Sequence, residues 1–527
     1  MQNITKQLLK YKNIQIGVIP FLSKHKRIII PSLLVFSYVL LYFLIDFSTQ
    51  SLVAHDEGLY ARRSRILEES YNWFSSPFSY PHHKTIGSYW FIALSIRLFG
   101  YSELALRLPS VLASFLSLFI SYLIAVKISN KKSALISIVS LSSMPLWIQY
   151  SRYASPDIPF VLCILLVIFF FLKFLDSSEY NNKYFYIFLS AFFLSISFFI
   201  RSYMTFVPLI GLSPFLIFNL LRSKNIFKFI FISGIIIGLL PTVMSLYYSY
   251  DKFGAIGITS LFDFAKEKAI GGIYFNNVIL FPLNYMYLTF PIGIFMIILF
   301  VFTKSRINVN YPLLVYFYPL LSVVILLSMS TSYLHYYLFL LPPFSILFAI
   351  KLQSHSFRFS ISKYCIKYSF LAHVILFSSI LSFLLFYYKD SLIKYSHGNI
   401  LIIYSVSLLL ILSFIFSIKY IFNTTSYQFN LIKFFYTLVI PQFVSISLLY
   451  NFGIIGNPNF KLKSFLNDEY ISSIYNDNTI YLFNVDSKMN TLLSYYLPAS
   501  VNIKTIDKLS ESNYLITSDL NYLFSLV

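Results

Sequence analysis

Apolar runs long enough to cross a bilayer recur along almost the whole chain, and they leave little room for any fold other than a set of membrane helices. A hydrocarbon core of roughly 30 Å calls for about 20 apolar residues per helix. Runs of that kind lie near 28–46, 108–127, 133–150, 157–175, 184–200, 203–221, 228–248, 284–303, 311–330, 334–351, 366–387, 399–418 and 431–450, about thirteen spans in all. The composition agrees: of 527 residues 57% are hydrophobic and 11% charged, and mean hydropathy is +0.72. The expected fold class is an all-α polytopic membrane protein.

Lys and Arg number 40 against 20 Asp and Glu, a formal net charge of +20. These cations sit in short segments between apolar runs and build no basic domain, so they point to topology and to anionic lipid or phosphate, with no nucleic-acid partner. Cys163 and Cys365 fall in or beside apolar runs, which argues against a disulfide scaffold or a thiolate metal site. The N-terminal stretch carries Lys6, Lys10, Lys12, Lys24, Lys26 and Arg27 without a small-residue cleavage site. It reads as a cytoplasmic tail and not as a cleaved signal.

With that end inside, Lys131/Lys132, Arg222/Lys224/Lys228, Lys304/Arg306 and Lys351/Arg358/Lys363 all fall on the cytoplasmic side, as the positive-inside bias requires. Residues 47–107, 249–283 and 451–527 then lie outside. The last of these is less apolar and contains strand-like alternation in "NTIYLFNV" and "YLPASVNIKTI". A small α/β domain over 451–527, outside a membrane domain over 1–450, is expected.

The first outer loop concentrates charge that the rest of the chain avoids. "EGLYARRSRILEESYNWF" and "GSYWFIALSIRLFG" read as two interfacial amphipathic helices, with the arginines of the first turned away from its apolar side. Between them "SYPHHKTIG" holds Lys84, His82 and His83. The two histidines are the only metal-ligand candidates and read more readily as loop residues, because no further ligand spacing accompanies them. Asp56 and Glu57 follow the first span closely and serve either as helix-capping groups or as functional carboxylates near the membrane surface. Arg152 and Asp157 in "YSRYASPDIPF" and Arg201 in "FFIRSYM" fall at other outer turns. Carboxylates, cations and tyrosines in one outer cavity suit a sugar carried on an anionic lipid phosphate: cations hold the phosphate, and a carboxylate orients or deprotonates an attacking hydroxyl.

These residues also carry a resemblance. Asp56-Glu57, Tyr60-Ala61, Lys84, Tyr89-Trp90, Phe99-Gly100 and Arg107-Leu108-Pro109, followed by Arg152-x-Ala154-x-x-Asp157 and "HYYLFLLPP" at 335–343, resemble the lipid A aminoarabinose transferase branch of the GT-C glycosyltransferases, distant relatives of the protein O-mannosyltransferases. Thr85-Ile86 stands where that pattern has Pro-Pro, Arg201-Ser202 where Lys-Gly is common, and Phe339 where the late segment has its first proline. The resemblance implies an inverting transferase in the bacterial inner membrane that takes a sugar from a polyprenyl-phosphate donor on the periplasmic side. A lipid or glycan would be the acceptor, or a protein hydroxyl in the rival reading. It makes Asp56 the main catalytic carboxylate, supported by Glu57 and Asp157. Lys84, with Arg63, Arg152 and Arg201, would hold the donor phosphate, and Tyr60, Tyr89, His335 and Tyr336 would line the substrate. Some relatives use a divalent cation, but the reaction does not require one, and the chain offers no clear ligand set. A lipid-linked sugar transporter or flippase would also need a charged cavity, but its cations should follow a path through the bilayer.

Overall fold

The computed structural model describes residues 50–357 apart from positions 55, 76, 79–80, 82–83, 270–274, 291 and 306–308, scattered positions between 364 and 387, and residues 400–423, 431–451, 457, 459–503 and 514–517. The chain is mainly helical. Two helices, α1 (Asp56–Glu69) and α2 (Gly87–Phe99), precede the long helix α3 (Glu103–Ile128). Next come α4 (Lys131–Ser143), α5 (Pro145–Tyr150), α6 (Asp157–Asp176), α7 (Tyr180–Arg201), α8 (Phe206–Arg222) and α9 (Asn225–Phe253). They are followed by α10 (Ile256–Ala269), α11 (Phe275–Thr289), α12 (Ile292–Phe302), α13 (Tyr318–Ser328), α14 (Leu341–Ser354), α15 (Ile400–Asn423) and α16 (Leu431–Asn451).

Among the described residues, seven helical stretches are long and apolar enough to cross a membrane, the longest being the interrupted Tyr180–Arg222. Their exposed faces are apolar, as in Phe229, Ile232, Ile236, Leu240 and Val243 of α9. Such a surface belongs against lipid, and the protein is a multi-pass membrane protein. Seven is fewer than the thirteen spans expected. The run at 28–46 and, but for scattered positions, that at 366–387 lie outside the described residues. The run at 133–150 is two short helices, because Met144 takes extended backbone (φ −71, ψ 127) and the residue before a proline is pushed out of the helical region. The run at 284–303 is divided between α11 and α12, ahead of Pro291. The run at 311–330 opens with a π-helical turn, Leu313–Phe317.

The buried core runs between the long helices around Trp147, Phe171, Phe215, Phe348 and Phe434. A second cluster unites α1, α2 and the chain just before α6: Tyr60, Leu67, Tyr89, Ile92 and Ala154 pack with Leu492 and Tyr495 of the C-terminal segment. That segment contains α17 (Phe460–Leu466), α18 (Glu469–Asp477) and α19 (Ser487–Tyr496). It carries a three-stranded parallel sheet in which Ile480–Phe483 lies between Val501–Ile503 and Tyr514–Thr517. Both stretches read as strand-like do contribute strands. A further short antiparallel pair joins 303–305 to 355–357.

The C-terminal segment is fastened to the first loop by polar contacts. Glu103 accepts from Lys463 at 2.8 Å and from Tyr496 Oη at 3.0 Å. Arg65 donates to the Tyr495 carbonyl at 3.0 Å.

Candidate active site

Glu57 sits one residue into α1 and is fully buried. Its carboxylate reaches back to the Val53 amide at 3.0 Å, closing the first turn in the manner of a capping box. It also accepts from Arg107 Nε and Nη2, both at 2.8 Å, and from the Ala154 amide at 2.9 Å. Arg107 completes its fork on the carbonyls of Gln50 and Ser51, each at 3.0 Å. One buried ion pair therefore ties the entry to α1, the first turns of α3 and the segment before α6. Arg152 belongs to the same neighbourhood: its guanidinium lies 5.3 Å from the Tyr450 ring, and the Tyr450 carbonyl accepts from Gln50 Nε2. With four hydrogen bonds already on its two oxygens, Glu57 is suited to positioning more than to proton transfer.

A second constellation surrounds Tyr60. Its hydroxyl accepts from Lys84 Nζ at 3.0 Å and from Arg201 Nη1 at 3.4 Å, and the Lys84 ammonium lies 4.6 Å from the Tyr60 ring centre. Arg201, the last residue of α7, is ion-paired with Asp157, the first residue of α6. The buried Nε of Arg201 has no hydrogen-bond partner among the described residues. Arg63 is buried as well, which corrects the expectation that it turns away from the apolar side of α1. It donates to Tyr89 Oη at 3.0 Å, with the Phe78 ring 5.3 Å away. Burial lowers the Lys84 pKa below the usual lysine range; Arg201 and Arg63 push it the same way, while Tyr89 and Asp157 oppose them. Burial raises the Tyr89 phenol above its usual value, against the pull of Arg63 and Lys84.

Local close packing sets these positions. Ser88 Oγ donates to the Ile200 carbonyl at 2.7 Å, and a Cβ on Gly87 would lie 2.4 Å from the Phe199 carbonyl oxygen. The start of α2 thus rests on the end of α7, with Lys84 and Arg201 on either side of the contact. His335, in the 3-10 helix Leu334–Leu340, is within electrostatic reach of Asp157, Arg201 and Lys84. Its ring lies 4.6 Å from Tyr336, 5.6 Å from Tyr150 and 5.7 Å from Tyr333.

Of the residues singled out from the sequence, Lys84, Arg63, Arg201, Asp157, Tyr60, Tyr89, His335 and Tyr336 share this region. Glu57 and Arg152 belong to the neighbouring buried network. The Asp56 backbone opens α1; its carboxylate, like His82 and His83, lies outside the described residues. No group of three or more His, Cys, Asp or Glu suited to a metal ion occurs among the described residues. Sequence reasoning missed Arg107 as the partner of Glu57. The signal was an arginine directly before Leu-Pro at the head of a long apolar run, where an unpaired charge would be costly.

The arrangement is that of a multi-pass membrane protein with a buried, cation-rich site at the ends of several helices. Comparisons place it among known proteins. Residues 83–248 match the model of the family described as dolichyl-phosphate-mannose-protein mannosyltransferase. Over 149 residues the chain is 29% identical to an uncharacterized protein of Aquifex aeolicus, covering 28% of this chain and 29% of that one. Over 127 residues it is 29% identical to the undecaprenyl phosphate-alpha-4-amino-4-deoxy-L-arabinose arabinosyl transferase of Pseudomonas aeruginosa, covering 24% of this chain and 23% of that one. The chain thus matches less than a third of the length of these curated relatives. The fold extends further: the crystal structure of ArnT from Cupriavidus metallidurans bound to undecaprenyl phosphate superposes with a TM-score of 0.66 at 14% identity, covering 90% of this chain and 86% of that one. Its apo state gives 0.64. The resemblance to the aminoarabinose transferases read from the first loop is borne out by these matches.

Proposed function

We propose that the protein is a membrane glycosyltransferase that moves a sugar from a polyprenyl-phosphate donor to a lipid or glycan acceptor at the periplasmic face, with inversion at the anomeric carbon. The observation that carries this reading is the convergence of Lys84, Arg63 and Arg201 with Asp157 around Tyr60, in a fold shared with a protein crystallised with undecaprenyl phosphate. Lys84 and Arg201 hold the phosphate; Arg201 Nε supplies a donor that no described residue uses. The acceptor hydroxyl attacks the anomeric carbon as its proton passes to the Asp56 carboxylate. The bond from that carbon to the phosphate oxygen breaks with its electron pair, and polyprenyl phosphate leaves, its charge held by the cations.

Asp157 fixes Arg201, Glu57 fixes the α1 entry through Arg107, and the aromatic group of Tyr150, Tyr333, His335 and Tyr336 offers faces for the sugar. Arg152 acts through the Glu57 network. Residues 1–450 form the membrane domain and 451–527 a periplasmic domain that braces the first loop, with the N-terminus cytoplasmic.

The match to protein mannosyltransferases favours one second reading, transfer to a protein hydroxyl. The grouping of the unusual charges at one end of the helices argues against a transporter. Purified protein in liposomes, supplied with labelled polyprenyl-phosphate sugars and separate lipid and peptide acceptors, tests the reading. Label should pass to lipid with release of polyprenyl phosphate. Label on peptide alone selects the second reading, and movement of intact donor across the bilayer without transfer refutes both.

A further inference from the structure

Beside Lys84 lies a cleft of about 480 Å³, counting the space open to solvent, walled by Thr85, Phe199, Thr242, Ser245 and Leu261. Two of its walls come from α9 and α10, which fold against each other at Gly257, where a Cβ would lie 2.2 Å from the Ser249 carbonyl oxygen. Lys252 ties the end of α9 to the first loop by donating to the Phe78 carbonyl at 2.9 Å. The cleft is therefore a built feature held from both sides.

Thr85 and Thr242 are 6% and 3% exposed, and the Oγ1 atom of each is buried with no hydrogen-bond partner among the described residues. A buried hydroxyl without a partner is costly, and two lining one cleft beside an ammonium call for a shared acceptor. A water molecule could accept from the hydroxyls but brings no negative charge to the Lys84 ammonium that lines the same cleft. A phosphate group answers both, because its oxygens accept several hydrogen bonds and carry the opposite charge. The polar atoms are set among Phe199, Ile86, Leu246 and Leu261, which suits a phosphate joined to an apolar chain.

We infer that Thr85 and Thr242 donate hydrogen bonds to the phosphate of the lipid donor, adding two neutral donors to the cations of the site. This rests on the proposed reading and goes beyond it, for Thr85 stands where the resembling family has a proline with no hydroxyl.

The test is binding of a polyprenyl phosphate, the matching neutral polyprenol and inorganic phosphate to the purified full chain in detergent. It compares wild type, Thr85→Val, Thr242→Val, Thr85→Ser and Lys84→Ala. Each valine variant should weaken polyprenyl phosphate about tenfold, leave polyprenol binding unchanged and keep or raise the melting temperature, since an unsatisfied buried hydroxyl has been removed. Thr85→Ser should bind like wild type. If both valine variants bind polyprenyl phosphate normally while Lys84→Ala does not, the inference fails and the transferase reading stands. If wild type binds no polyprenyl phosphate, the reading falls and the inference with it. A lowered melting temperature with equal losses for phosphate and alcohol would make the hydroxyls structural. Capture of inorganic phosphate in preference to the lipid would overturn the lipid assignment.

Discussion

Replacing Glu57 with glutamine separates positioning from chemistry. Its two oxygens accept from two nitrogens of Arg107 and from the amides of Val53 and Ala154. Glutamine keeps the size but converts one oxygen to an amino group. On the Oε2 side that group would face Arg107 Nη2 and the Val53 N–H; on the Oε1 side it would face Arg107 Nε and the Ala154 N–H. Either rotamer sets donor against two donors and leaves the Arg107 guanidinium, 3% exposed at its side chain, without a compensating charge. Breaking a buried pair by removing one partner costs about 3–5 kcal/mol. Glu57→Gln should therefore lose that much stability in detergent, with denaturant titration followed by circular dichroism as the assay. Because Arg107 supplies the stranded charge, Glu57→Gln combined with Arg107→Met should be more stable than Glu57→Gln alone. The folded fraction should keep turnover within about tenfold of wild type. A variant that unfolds like wild type yet loses turnover by about 100-fold or more would refute the argument and make Glu57 a reacting group.

Lys84 and Gly87 give two further expectations. Because burial holds the Lys84 pKa below the unfolded lysine value of 10.5, the empty folded protein binds fewer protons than the unfolded chain between those two pKa values, and this group's contribution to stability rises with pH there. Phosphate binding needs the protonated form, so donor affinity should fall by up to about tenfold per pH unit above the lowered pKa. Lys84→Arg should remove that dependence, and a profile flat to the ordinary lysine range would contradict it. Gly87→Ala should separate the start of α2 from the end of α7, since its Cβ would meet the Phe199 carbonyl at 2.4 Å, and should weaken donor binding together with stability. Unchanged binding would show that this contact does not set the position of Lys84.

Much of the site was legible because charge is scarce in this chain. Lys84, Asp157 and Arg201 stood out against their apolar surroundings, and they do meet although they come from three segments. The helical character, both first-loop helices and the C-terminal strands followed from periodicity. Roles were harder to read than positions. For Glu57 the capping and working readings both stayed open, because its partner Arg107 lies in a different helix and nothing local to "HDEG" announces a bidentate pair. Arg63 is expected on the side of α1 away from its apolar face because hydropathy treats every arginine alike, whereas Tyr89 and Phe78 supply a buried seat for this one. Continuous apolar runs concealed breaks at Met144 and between α11 and α12, because hydropathy does not register what proline does to the preceding backbone. Thr85 stood out only as a departure from the Pro-Pro of the resembling family and Thr242 not at all, since an unsatisfied hydroxyl is visible only once its surroundings are known.

The central claim is that Asp56 activates the acceptor hydroxyl while cations hold the lipid phosphate, and single-turnover transfer by Asp56→Asn tests it most directly. The variant keeps the size of the side chain and removes its charge. With donor binding measured separately, it should bind polyprenyl-phosphate sugar as wild type does, melt normally and transfer sugar about 100-fold more slowly or worse. Transfer within about threefold of wild type, or a lost melting transition with normal rate in the folded fraction, would reduce Asp56 to a helix-capping group and contradict the account.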